Sequence, residues 1–547
     1  MTEVKKIDSN ITGLRIAKET SLGNLPALPT WYPLEPNSFS DFGGQLSLVA
    51  RDPINPSRQR KKGVITDLDA SGGFEQDLTF TNLSHLWPGL FLAKKRQKAI
   101  NTAGSSTPAD DIVSIGTSDD IVLGVGGGAK YQAGDLIWLE GFATASNNGL
   151  KVVESINSDT LTVAETLAED AAPADGATIK AVGHQFGSGE LTVARTAGSL
   201  PTLVSSGTQM DSFGFIPGET IYIGGDTDGV IGDRFTGESN NGFARIAAIS
   251  ATTLTLDKTS GGADGTTEMV TEAGGTKTVR IFFGDLIRNE TSVGDNFDKA
   301  SYTIVRLLGA PNPQANPTEI QSEALTGAVL GEFTLNIRQA DKIMTEWSFT
   351  AINNLQRSGS VSDGEEPLTE AGTEVSIPEA TAYNTSSDFS RMRLAIVRPT
   401  IGGVSELAAP TPLFAYVTEA TINVSNNVKP DKAVSILGGF DVTLGSFQVG
   451  GSINAYFSDV AAVKAVRDNA DVTLDIAMVK DFGTGALQRK AGLYWDIPLI
   501  ALGDGRLNVT KDEAIMIPLE TEAAEYEPFG HTLVLQEFYY LPNNADS

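Results

Sequence analysis

Two nested sets of internal repeats constrain this chain more than any single motif, because copies of one segment must fold alike. In the inner set, Gly134-Asp135-Leu136-Ile137-Trp138-Leu139 is answered by Gly218-Glu219-Thr220-Ile221-Tyr222-Ile223. Each is followed by Asn-Asn-Gly (Asn147 to Gly149, Asn240 to Gly242), an alternating strand, and Thr-Leu-Thr (Thr160 to Thr162, Thr253 to Thr255) at the same spacing. The extra residues of the second copy fall in GGDTDGVIGDRFTGES, where a loop tolerates insertion.

The outer set brackets the inner one. Leu335-Asn336-Ile337 with Asp341 and Ile343-Met344 matches Leu507-Asn508-Val509 with Glu513 and Ile515-Met516, each beginning four residues after a glycine, Gly331 or Gly503. Upstream, GGFEQDLTFTNLSHLWPGLFL from Gly72 parallels GGSINAYFSDVAAVKAVRD from Gly450, a strand leading into a helix in both. A strand, helix, strand unit therefore occurs twice, and the first copy is split by the inner repeats.

The remaining sequence reads as short strands rich in Val, Ile, Thr and aromatics, punctuated by Gly, Asn, Asp and Pro. Helical spacing is confined to about 82–98, where Pro88 must start or kink the helix, and 458–469, with Val460, Val463 and Val466 on one face. The expected class is all-β with two short helices, as sandwiches and barrels. The segments expected are an extended N-terminal arm over 1–36, a first domain split into 37–105 and 285–360, inserted β modules over 106–185 and 186–284, a linker over 361–379, and a second domain over 380–547.

Charge narrows function. Forty Lys and Arg against 68 Asp and Glu leave −28, which disfavours capture of nucleic acid but suits a surface past which DNA slides. Cysteine is absent, so neither disulfides nor thiolate chemistry contribute. The polar start MTEVKKIDSN lacks a signal-peptide core, and no apolar run spans a bilayer.

Catalytic and ligand motifs are weak. Gly124-Val125-Gly126-Gly127-Gly128-Ala129 resembles a dinucleotide loop, but a strand follows it instead of the required helix, so a turn is expected. Asp67-Leu68-Asp69-Ala70-Ser71-Gly72 starts like a calcium loop, yet Leu78 stands where the bidentate glutamate belongs; a β-turn is expected there and at Asp226-Thr227-Asp228-Gly229. His85, His184 and His531 show no zinc spacing, and neither a nucleophile elbow nor a phosphate loop occurs. Trp31, Trp87, Trp138, Trp347 and Trp495 are scattered as core anchors. The expectation is no catalytic residue, cofactor or metal. Two basic clusters remain, Arg58-Gln59-Arg60-Lys61-Lys62 and Lys94-Lys95-Arg96-Gln97-Lys98. The second reads as solvated surface.

The Arg15-Ile16-Ala17-Lys18-Glu19-Thr20 arm, the strand from Gln45 to Ala50 with its long polar loop, the strand and helix from Phe74, and Ser301-Tyr302-Thr303-Ile304 followed by Gly327 and Phe333 to Ile337 together resemble the tail tube, or major tail, proteins of long-tailed bacteriophages. The resemblance implies duplicated β-sandwich domains forming a β-barrel tube, with strands of neighbouring subunits joined and rings stacked through the arm and the long loop. One tube domain per chain makes a six-membered ring, so two imply a trimeric, pseudo-sixfold ring. Arg58, Arg60, Lys61 and Lys62 then fall at the ring-to-ring contact. Also implied are tape measure, tail terminator and distal tail proteins as partners, DNA passing through without specific binding, no membrane, a virion-tail location and assembly in the host cytoplasm. The inserted modules are expected on the outer surface. The rival reading is a surface-binding adhesin, receptor-binding or surface-layer β protein; a polysaccharide-degrading enzyme would need paired carboxylates that the sequence does not display.

Overall fold

The computed structural model describes residue 7 and residues 12–545, apart from 53, 55, 57–58, 60, 197–198, 227–231, 260–268, 312–315, 377–380, 397–399, 402–403, 406–416, 458–459, 508 and 510. The described residues are nearly all β, with two short α-helices, and no closed barrel occurs among them. They divide into two compact units, one of Met1–Lys94, Asn289–Thr385 and Val417–Asn454, the other of Lys95–Arg288, Ser386–Tyr416 and Ala455–Ser547.

The first unit is organised around Gln321–Arg338, a strand long enough to change partners along its length. Residues 321–328 run between Tyr302–Gly309 and Asn353–Arg357. A bulge at Leu330/Glu332 follows, and residues beyond it run between Met344–Ala351 and Val417–Ser425. Met344–Ala351 is in turn paired with Lys61–Asp77, and that strand with Ser38–Arg51. Alternation sends Phe333, Leu335 and Ile337 inward with Trp347 and Phe74, and Trp87 packs edge-on against Phe333. The described part of the N-terminal arm adds two strands to this sheet, since Gly13–Lys18 pairs with Tyr302–Gly309 on one side and with Thr30–Leu34 on the other, and buries Leu14, Ile16 and Ala17.

Glu19 anchors the end of Gly13–Lys18. Its buried carboxylate accepts hydrogen bonds from Ser301 Oγ (2.7 Å), Thr303 Oγ1 (2.7 Å), Gly327 N (2.8 Å) and Gly23 N (2.7 Å). Glu19→Gln keeps the volume but turns one acceptor into a donor facing donors, so about 2 kcal/mol of stability should be lost. A urea titration checks this; an unchanged midpoint would show the four bonds to be dispensable.

The expected helix over 82–98 is only Trp87–Phe91, because Pro88 starts it and Leu92, at φ 49°, stops it. The second is Ala461–Arg467. The expected turn at Asp67–Gly72 is instead part of the strand Lys61–Asp77.

In the second unit the inner repeats form twelve strands of a thirteen-stranded sheet in mirrored order, the thirteenth, Ile100–Thr102, pairing with Thr178–Gln185. From one end the copies read Ile112–Ile115, Asp120–Leu123, Thr160–Val163, Gly149–Asn157, Asp135–Glu140, Thr178–Gln185, and from the other Leu191–Ala194, Thr202–Ser205, Thr253–Thr259, Gly242–Ser250, Thr220–Ile223, Arg280–Phe282. They meet where Thr178–Gln185 pairs with Arg280–Phe282, and a single apolar core runs through both. The Asn-Asn-Gly repeat is a loop latch. Asn148 bonds Phe142 N and O and Thr144 O, and Asn241 makes the same bonds to Phe235 N and O and Gly237 O. The glycines that follow, Gly149 and Gly242, take φ of +94° and +104°.

The rest of this unit repeats the pairing of the first. Phe389–Ile396 pairs with Val472–Phe482, which pairs with Arg489–Asp504, which changes partner from Val534–Leu541 to Met516–Ala523.

Candidate assembly surfaces

The Ser38–Arg51 and Lys61–Asp77 strands make a hairpin that outruns its sheet, since Met344–Ala351 covers only residues 70–77 of it. Beyond that point the ribbon continues through Leu46↔Leu68, Leu48↔Ile65 and Val49↔Val64. Leu46, Leu48, Val49, Val64 and Ile65 are all about half exposed or more, with Leu48 at 67%. An apolar two-stranded ribbon is marginal in water and invites pairing. Lys61 and Lys62 open its returning strand and are exposed, whereas Arg58 and Arg60 lie outside the described residues. At its base Lys432 bridges Asp67 and Asp69.

The second basic cluster is not solvated surface. Lys95 is paired with Glu537, Lys98 Nζ lies 2.7 Å from Glu219, and Lys98 N donates to Asp285, which also holds Lys180 at 2.5 Å. Charges at regular intervals in sequence resemble a solvated run, but this segment is threaded through buried carboxylates.

The outward face of the sheet made by Lys61–Asp77, Met344–Ala351 and residues 332–338 is polar and acidic. Glu346 sits directly opposite Glu75, and Glu332 lies on the neighbouring strand opposite Ser348. With Ser38, Ser40 and Thr334 they line a shallow hollow. Like charges directly across a ladder destabilise a sheet. Their presence therefore favours a role for the anionic face over a role in folding.

Equivalent positions in the two outer repeats differ in cover. Leu335, Ile337 and Ile343 are buried, whereas Leu507, Val509 and Ile515 are exposed, Val509 by 74%. Tyr456 and Val460 are exposed in the same unit. In the first copy Val417–Ser425 lies along the strand carrying Leu335 and Ile337.

A buried ion network joins the inserted sheet to the second outer repeat. Arg245 holds Asp257 (Nε to Oδ1, 2.9 Å) and Asp496 (Nη1 to Oδ2, 2.9 Å). Lys258 Nζ lies 2.7 Å from Asp475 and 3.0 Å from Asp496, while Arg391 and Arg393 close on Asp475 at 2.8 and 3.0 Å. Burial alone would raise the Asp475 carboxyl, but Arg393, Lys258 and Arg391 hold it well below the usual carboxylate range.

The histidines are structural. His85 stacks on Tyr32 with centroids 3.5 Å apart, and His184 Nδ1 lies 2.9 Å from Asp135. Burial, reinforced by Arg288, pushes the His531 imidazole down to about 4. A histidine held neutral in the fold is protonated first in the unfolded chain. Its stabilising effect is therefore complete above an unfolded pKa of about 6.5 and lost as pH falls towards 4, by about 3 kcal/mol. Denaturant midpoints across that range should fall more steeply for the native chain than for His531→Gln; equal slopes would contradict the assignment.

The glycine loop at 124–129 is a turn: Gly126 N and Gly128 N donate to Asp159 Oδ1 at 2.9 and 3.2 Å. At the second expected turn, residues 227–229 lie outside the described residues. Sequence reasoning missed the apolar hairpin faces and the ion network; the readable signals were apolar residues on both faces of one strand and lone aspartates inside apolar strands.

No curated protein matches the chain. A family model described as phage tail tube protein matches residues 9–523.

Proposed function

This chain belongs to the phage tail tube protein family, and from that premise we propose that it is a non-enzymatic structural protein whose copies close into trimeric, pseudo-sixfold rings, stacked as the conduit for DNA during ejection. The observation that carries the reading is the joint in which residues 332–338 of the first repeat pair with Val417–Ser425 of the second. Repeated between copies, that joint pairs the stretch after Arg489–Asp504 with the outer edge of Ser38–Arg51, whose described pairing is with Lys61–Asp77. It covers Leu507, Val509 and Ile515 and removes an open edge. Three chains with two repeats each, 37–105 with 285–360 and 380–547, supply six positions.

Stacking falls to the apolar hairpin and to Arg58, Arg60, Lys61 and Lys62, which meet acidic surface on the next ring. Replacing these four by Gln should shorten tubes, and more so at low salt; unchanged length at every salt would remove them from the contact. Glu75, Glu332 and Glu346 face the lumen, where carboxylates repel phosphates and keep DNA from adhering. Tape measure, tail terminator and distal tail proteins are the remaining partners, in a virion tail assembled in the host cytoplasm. The test is negative-stain electron microscopy of the purified chain. Rings or stacked filaments are expected; discrete particles that never stack, with affinity for carbohydrate, would favour a surface adhesin.

A further inference from the structure

The inserted sheet and the second repeat meet through charges that neither of their internal copies carries. Asp475 lies directly opposite Asp496. The shift that carries Leu335 to Leu507 (507 − 335 = 172) carries Ala324 to Asp496 (496 − 324 = 172), and the strand partner of Ala324 is Val305. In the first repeat this position is therefore an apolar pair, packed under Trp31 and Ala17. In the insert the other copy carries one apolar residue and one acid where this copy carries two bases. The shift relating Asn147 to Asn240 (240 − 147 = 93) relates Val152 to Arg245 (245 − 152 = 93) and Glu165 to Lys258 (258 − 165 = 93).

Two acids particular to one repeat thus face two bases particular to one module, with separations of 2.7 to 3.0 Å. Buried charge is costly unless matched, and matched charge confers registry more than stability. Trp138, Tyr222 and Phe243 of the insert pack around it with Tyr494, Phe538 and Leu541, excluding water. We propose that Arg245 and Lys258 with Asp475 and Asp496 form a dedicated docking site through which the insert selects the second repeat, making the twin modules an internal clamp and not a free-standing binding domain. The insert is joined by chain to the first repeat and by this site to the second. The docking site stands whether or not the chain builds a tube; its role in a tube wall rests on that reading.

The test is a double-substitution cycle read by hydrogen exchange on the full-length, unassembled chain, so that ring formation is scored separately. Lys258→Met and Asp496→Asn should each speed exchange across Gly242–Ser250 and Thr253–Thr259 by about tenfold or more, and the two together should return it close to the native rate, because each alone strands an opposite buried charge. Unchanged exchange in either single variant, or a combined effect equal to the product of the two, overturns the proposal. Should a single variant fail to fold, the combined variant decides: native-like protection supports the docking site, and an unfolded chain refutes it.

Discussion

Substituting Leu48, Val49, Val64 and Ile65 together by Thr is expected to abolish tube growth while leaving the folded chain intact. All four project from the part of the hairpin beyond the reach of Met344–Ala351 and are half exposed or more, so they add little to the core of a single chain. Docking on a neighbouring copy would bury roughly the exposed half of each, about 1 kcal/mol apiece at 1.5–3 kcal/mol for a whole side chain. The sum of about 4 kcal/mol corresponds to roughly a thousandfold weaker association. Thr preserves strand propensity, so the ribbon itself persists. Sedimentation of assembled material against concentration reads the effect directly, with the thermal midpoint as the control. Normal tubes from this variant would remove the hairpin from the stacking contact.

Arg245→Met is expected to cost about 3 to 5 kcal/mol, because it strands Asp257 and leaves Asp496 with Lys258 alone in a buried site. The unfolding transition of the unit containing the insert should move to lower denaturant, and Arg245→Met with Asp257→Leu should recover much of the loss. An exposed pair gives the contrast. Arg338 and Glu419 are 3.3 Å apart with both side chains half exposed or more, so Arg338→Ala should cost under about 1 kcal/mol. Equal effects at the two sites would mean that the buried network is not closed to solvent.

The strand content was legible because alternation and glycine spacing are local properties. The Asn-Asn-Gly repeat was visible in the sequence, but that its second Asn latches the loop backbone in both copies is shown only by the fold. The helix after Phe74 was overextended because the apolar pattern of 82–98 ignores where Pro88 and a left-handed Leu92 interrupt it. Partnership was the least legible property. Lys98 looks like any surface lysine until Glu219 is brought to it from 121 residues away (219 − 98 = 121). Asp475 and Asp496 stand out in VTLDIAMV and LYWDIPLI as charges in apolar strands, yet only the fold shows that Arg245 and Lys258 answer them.

If each chain fills two of the six positions in a ring with its two repeats, native mass spectrometry of rings separated before they stack will count three chains. Three copies of the 57.7 kDa chain are expected, with projections that look sixfold and average correctly only as threefold. A ring of six copies, or a chain that stays monomeric under conditions where its hairpin is intact, would contradict it.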